Sequence, residues 1–78
     1  MFNKDIFAER LSLLLDQHNI SKQSLADNVN TSRTNVSKIV HGANLPSIEL
    51  LVSIAQYFDV SVDYLLGLTD NKAINKKD

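Results

Sequence analysis

Residues 21–42 read SKQSLADNVNTSRTNVSKIVHG, and the spacing within this stretch decides the fold. Ser21 is placed to cap a helix, because a serine hydroxyl accepts from an unpaired amide one turn further in. Leu25, Ala26 and Val29 then follow at helical intervals. Asn30-Thr31 interrupts the pattern, and Asn enters the left-handed backbone conformation that ends helices more readily than any residue but Gly. Ser32 is placed to cap a second helix with Val36, Ile39 and Val40 on its apolar side. The small side chain of Ala26 lets the second helix cross the first closely, and Val36 plugs the crossing. The expected unit is two short helices at a steep angle joined by a tight turn.

At about 100° per residue, Thr34, Ser37, Lys38 and His41 fall opposite the apolar stripe of the second helix. Arg33 lies on the flank of its first turn. This outward face carries two cations, two hydroxyls and an imidazole, and no acid. Arg and Lys donate to guanine O6 and N7, and Ser and Thr pair with several base edges. The first turn adds free amides and the positive end of the helix dipole, which suit phosphate. A surface helix without such a role usually mixes both signs of charge.

With Ala26, Asn30 and Val36 at these spacings, residues 7 to about 67 resemble the Cro/phage-repressor type of helix-turn-helix domain, also called the xenobiotic-response-element type. The resemblance implies a compact all-α bundle of five helices, with helices 2 and 3 forming the helix-turn-helix. It implies duplex DNA as partner, with helix 3 in the major groove. The family's base-reading positions fall on Arg33, Thr34 and Lys38. Its phosphate-contacting positions fall on Lys22, Ser32, Asn35, His41 and the Gly42-Ala43-Asn44 turn, with Ser37 beside them. Three departures stand out. Lys22 replaces a usual Gln, Asn30 replaces a usual Gly, and Val40 replaces a Glu that commonly pairs with the arginine at Arg10. Arg10 must therefore find another partner or remain solvated.

Seventy-eight residues make one domain, and 44% hydrophobic content supports a small core. With no Cys there is no disulfide framework, thiol nucleophile or zinc finger. No apolar run approaches the roughly 20 residues of a membrane span, and Leu13-Leu14-Leu15 is too short for a signal sequence. These features favour a cytoplasmic protein. The net charge of −1 is unevenly spread. Residues 21–44 hold Lys22, Arg33 and Lys38 against Asp27, whereas residues 45–70 hold Glu49, Asp59, Asp63 and Asp70 and no base. Such a bipolar domain can orient on DNA.

Along the rest of the chain, Asn3 is placed to cap a first helix, with Phe2 and Phe7 at the positions of a hydrophobic staple. Phe7, Leu11 and Leu14 form its inward stripe and His18 continues it. Leu13 points away, and Leu15 has no obvious place. Asn19 stands where the helix should end. After Pro46, Ser47 caps a fourth helix, in which Ile48, Leu51, Val52, Ala55 and Phe58 are expected inward and Leu50, Ile54 and Tyr57 on a flanking stripe. Ser61 caps a short fifth helix ending at Gly67. The domain is expected over residues 1–68, with 69–78 as a loose polar tail. Leu50, Tyr57 and Tyr64 are apolar or aromatic where the family tends to be polar, which suggests a homodimer face. Two-fold pairing would set recognition helices about 34 Å apart on an inverted-repeat operator.

An enzyme is disfavoured. Two His at no metal-ligand spacing, no Cys and no Gly-rich phosphate loop leave no catalytic, metal or cofactor site to name. The reading is a sequence-specific DNA-binding transcriptional regulator, with repression the expected mode. The alternative is a protein-binding helical module, antitoxin-like or a co-regulator, that keeps the fold without specific DNA binding.

Overall fold

Four of the five helices begin on a serine, and each serine caps its helix as the sequence indicates. The computed structural model describes residues 4–73. Within them lie α1 (Lys4–Gln17), α2 (Lys22–Asn28), α3 (Arg33–Val40), α4 (Ile48–Phe58) and α5 (Val62–Leu66), and no strand. Ser21 Oγ accepts from the amide of Ser24, Ser32 Oγ from Asn35, Ser47 Oγ from Leu50 and Ser61 Oγ from Tyr64, at 3.0–3.2 Å. Each such cap stabilises by about 1 kcal/mol. That matters for helices of five to eight residues, which cannot stand alone in water. Asn19, Asn30 and Asp59 adopt left-handed conformations where the helices before them stop. The expected cap at Asn3 and staple at Phe2 lie outside the described residues.

One core joins all five helices. Phe7, Leu11 and Leu14 of α1 meet Leu25 and Ala26 of α2, Val36 and Ile39 of α3, Ile54 and Phe58 of α4, and Leu65 of α5. Helix α1 packs against both α3 and α5, so it is the beam that ties the two halves together. Leu15 is also buried, and its carbonyl accepts the amide of Ile20 at 2.9 Å. Leu13 is exposed as expected. His18 is exposed too, with its ring tilted against Phe58 at 5.3 Å between centroids.

Helix α4 takes a different phase from the one expected. Leu50 and Ile54 face the core with Ala55 and Phe58, while Ile48 is 82% exposed and Val52 40%. The segment IELLVSIAQYF is apolar at most positions. Stripes at 48, 52 and 55 and at 50, 54 and 58 both have helical period, so the pattern alone does not choose between them. Packing keeps Ala55 and Phe58 inward as expected and buries Leu50 and Ile54 in place of Ile48 and Val52. Leu50, through this phase, and Tyr64 of α5 are both buried in the core cluster and cannot form a dimer face as they stand. Of that expected set, only Tyr57 keeps appreciable surface.

Residues 69–73 also differ from a loose tail. They turn back along α1 and α5. The Arg10 guanidinium, itself mostly buried, donates to the carbonyl oxygen of Tyr64, to that of Thr69 at 2.6 Å, and to the Asp70 carboxylate at 2.8 Å. It also lies over the Tyr64 ring, 4.4 Å from the centroid. Lys72 Nζ donates to Gln17 Oε1 at 2.8 Å, and the Lys72 carbonyl accepts the amide of Ser61 at 2.9 Å. Arg10 thus finds the partner that Val40 does not supply.

Candidate nucleic-acid interface

Helices α2 and α3 form the crossing that the sequence implies. Ala26 and Leu25 have no exposed surface and Val36 almost none. Asn30 has φ +58°, and the Thr31 amide returns to the Ala26 carbonyl at 3.0 Å, closing the turn. The Asn35 side-chain amide donates to Thr31 Oγ1 at 3.0 Å and braces the turn against the first turn of α3. Asn35 is therefore partly committed to local structure, which leaves its remaining amide hydrogen and carbonyl oxygen for a ligand.

The outward side of α3 is as expected. Arg33, Thr34, Lys38 and His41 are exposed and Ser37 is half-buried. Neither Arg33 nor Lys38 enters an ion pair among the described residues. No acid lies on α3. The face is a run of donors with no internal neutralisation, and it stands on the side of the helix away from Val36 and Ile39. Ser32 keeps its hydroxyl hydrogen available, because the cap uses only its lone pair.

The turn after α3 differs from the expectation in one respect. Gly42, at φ +78°, sends its amide to the Ile39 carbonyl. The amides of Ala43 and Asn44 both reach the Lys38 carbonyl, at 2.8 and 3.3 Å. These bonds end the helix, and they use the three amides that a phosphate-gripping turn would present. What the turn offers outward is the exposed Asn44 side chain.

Lys22 and His41, 19 positions apart in sequence, line one cleft of about 510 Å³ together with Ser12, Asp16, Ser21, Leu15, Ile20 and Val40. In the sequence Lys22 and His41 stand apart, and nothing there marks Ser12 or Asp16 as their neighbours. Both line the cleft that α1 forms with the start of α2 and the end of α3, a placement visible only once the helices are packed. His41 Nδ1 is 2.7 Å from the Ser37 carbonyl. Among the described residues no group of three or more His, Asp or Glu side chains is placed to hold a metal ion, and no helix is long and apolar enough to cross a membrane.

A capped two-helix crossing with an exposed, acid-free second helix defines a helix-turn-helix domain. The chain belongs to that family: the family model HTH_3, helix-turn-helix, matches residues 11–65. Over 66 residues it is 32% identical to the Bacillus subtilis (strain 168) protein named uncharacterized HTH-type transcriptional regulator YobD, which covers 85% of this chain and 59% of that protein. Over 61 residues it is 37% identical to the Enterococcus faecalis protein named HTH-type transcriptional activator BcrR, covering 78% of this chain and 30% of that one. A crystal structure of a transcriptional regulator from Listeria innocua superimposes with a TM-score of 0.76 at 33% identity, over 90% of this chain and 64% of that chain. The chain thus spans less than two thirds of each of these relatives.

Proposed function

We propose that this chain is a sequence-specific duplex-DNA-binding transcriptional regulator of the cytoplasm that inserts α3 in the major groove. The observation that carries the reading is the exposed, acid-free face of α3, held at a capped crossing over α2. Arg33, Thr34 and Lys38 read base edges. Lys22, Ser32, Asn35, Ser37, His41 and the Asn44 side chain meet the backbone, which orients the domain without reading sequence. The regulator acts as a repressor by occupying an operator that overlaps a promoter.

In this reading it binds as a homodimer on an inverted repeat. Two copies pair over the solvent side of α4, where Ile48 and Val52 expose apolar surface, rather than through the buried Leu50 and Tyr64. The test is selection of bound duplexes from a random pool at low salt. Enrichment of an inverted repeat supports both parts of the reading. A single half-site would overturn the dimer and keep the DNA contact. No enrichment would overturn specific DNA binding and favour a protein-binding module, which the four acids and no base of residues 45–70 would suit.

A further inference from the structure

The cleft between α1, α2 and α3 joins an imidazole to a lysine, and the imidazole is held in one orientation. His41 Nδ1 sits 2.7 Å from the backbone carbonyl of Ser37. A carbonyl oxygen only accepts, so Nδ1 carries a hydrogen whether the ring is neutral or charged. In the neutral ring, Nε2 is then a bare acceptor. A phosphate oxygen is also only an acceptor, and two acceptors cannot bond. His41 can hold a phosphate only after Nε2 takes a proton from solvent, giving N–H···O–P with no bond broken elsewhere.

Resting on the DNA reading above, we propose that His41 takes up a proton when the domain engages the DNA backbone, so that affinity is coupled to pH through this one side chain. His41 is the C-cap of α3, and the carbonyls of Ser37, Lys38 and Ile39 before it are already paired within the turn. The charged groups around it come from three elements. Asp16 of α1 and Lys22 of α2 line the same cleft, and Lys38 precedes His41 on α3 by one turn. The Asp5 carboxylate lies beside Gly42, 3.2 Å from where a Cβ would stand there. Helices α4 and α5 contribute no residue to the cleft lining. Asp16 and Lys22 offset each other within the cleft, so an incoming phosphate is the charge that changes on binding. Exposure of the ring lets the proton come directly from water.

The test uses the full chain and a fluorescein-labelled duplex of mixed sequence at low salt, titrated by anisotropy. From about pH 8 to about pH 5.5, the range in which imidazoles gain charge, affinity should rise severalfold. The limit for one proton is about tenfold per pH unit. His41→Gln should flatten this dependence, His41→Lys should flatten it at the tight end, and His18→Gln should leave it intact as the control imidazole. Circular dichroism of each variant keeps folding separate from binding. The proposal falls if His41→Gln retains the wild-type pH dependence, or if the wild type binds with none. If the wild type binds no duplex at any pH, the DNA reading fails and the proton coupling fails with it.

Discussion

Replacing Arg10 by Ala removes the clamp between α1 and residues 64–70, and its cost can be worked from the contacts. The guanidinium donates to two backbone carbonyls, those of Tyr64 and Thr69. A hydrogen bond from a charged donor contributes about 1.5–3 kcal/mol net. Both bonds are only partly buried, and the Tyr64 carbonyl also accepts the amide of Gly67, so the low end of that range applies to each. Stacking on Tyr64 adds about 0.5–1 kcal/mol. The third partner, Asp70, is fully exposed, and water screens it. The expected loss is about 3.5–4 kcal/mol, against a total of about 4–12 kcal/mol for a chain of 78 residues. Urea unfolding followed by circular dichroism is the assay. With a slope near 1 kcal/mol per molar urea, the midpoint should fall by about 3.5–4 M, or the variant should be unfolded without urea where the parent's own midpoint is lower. Arg10→Lys keeps the charge but not the planar fork and should recover about half of the loss. Asp70→Asn should move the midpoint little. A loss under about 1 kcal/mol for Arg10→Ala, against the charged-donor range above, or an equal loss for Asp70→Asn, would refute the ranking of carbonyls over carboxylate.

At the proposed interface, Arg33→Ala should cost about 1–3 kcal/mol of specific binding and relax the preference at one base pair, read by competition among single-base operator variants. Lys22→Ala should weaken all sequences alike and reduce the salt slope by about one; a changed base preference would place Lys22 wrongly. Gly67→Ala puts a side chain at φ +81°, with its Cβ 2.8 Å from Ile6 Cγ2. The backbone alone costs about 1–2 kcal/mol, so melting should fall by roughly 10 °C; an unchanged melting temperature would mean that Ile6 and the turn both relax freely. Ile48→Asp should shift sedimentation toward monomer while leaving thermal stability near wild type, and an unchanged sedimentation profile would exclude that face of α4 from pairing.

The helix-turn-helix was legible because its determinants are local. Capping by Ser21 and Ser32, the permissive Asn30, and the stripe of Leu25, Ala26, Val36 and Ile39 all act within a few residues of where they stand in the sequence, and the structure keeps each of them. The phase of α4 was not legible, because a helix apolar at most positions offers more than one stripe of the same period. The clamp on Arg10 was half legible. Loss of the usual Glu, with Val40 in its place, left the arginine either to find another partner or to stay solvated, and two of its three partners are main-chain oxygens, which every residue carries. The same limit hid the turn after α3, where the amides of Gly42, Ala43 and Asn44 are spent on carbonyls of the helix. The cleft pairing Lys22 with His41 needs three helices in place before its walls exist.

The strap over Tyr64 bears on how this domain could be moved. Composition draws the edge of the folded unit at residue 68, where apolar residues give out. The hydrogen bonds draw it later, since Thr69 and Asp70 occupy Arg10 and the Lys72 carbonyl holds the first amide of the α5 cap. A graft of this helix-turn-helix onto another protein that stops at residue 68 would leave a mostly buried guanidinium without two of its three acceptors and uncover one side of the Tyr64 ring. Four polar residues, 69–72, which contribute almost nothing to the apolar core, therefore set the shortest segment that can be transplanted with α1 still braced against α5 and α3 still held at its angle.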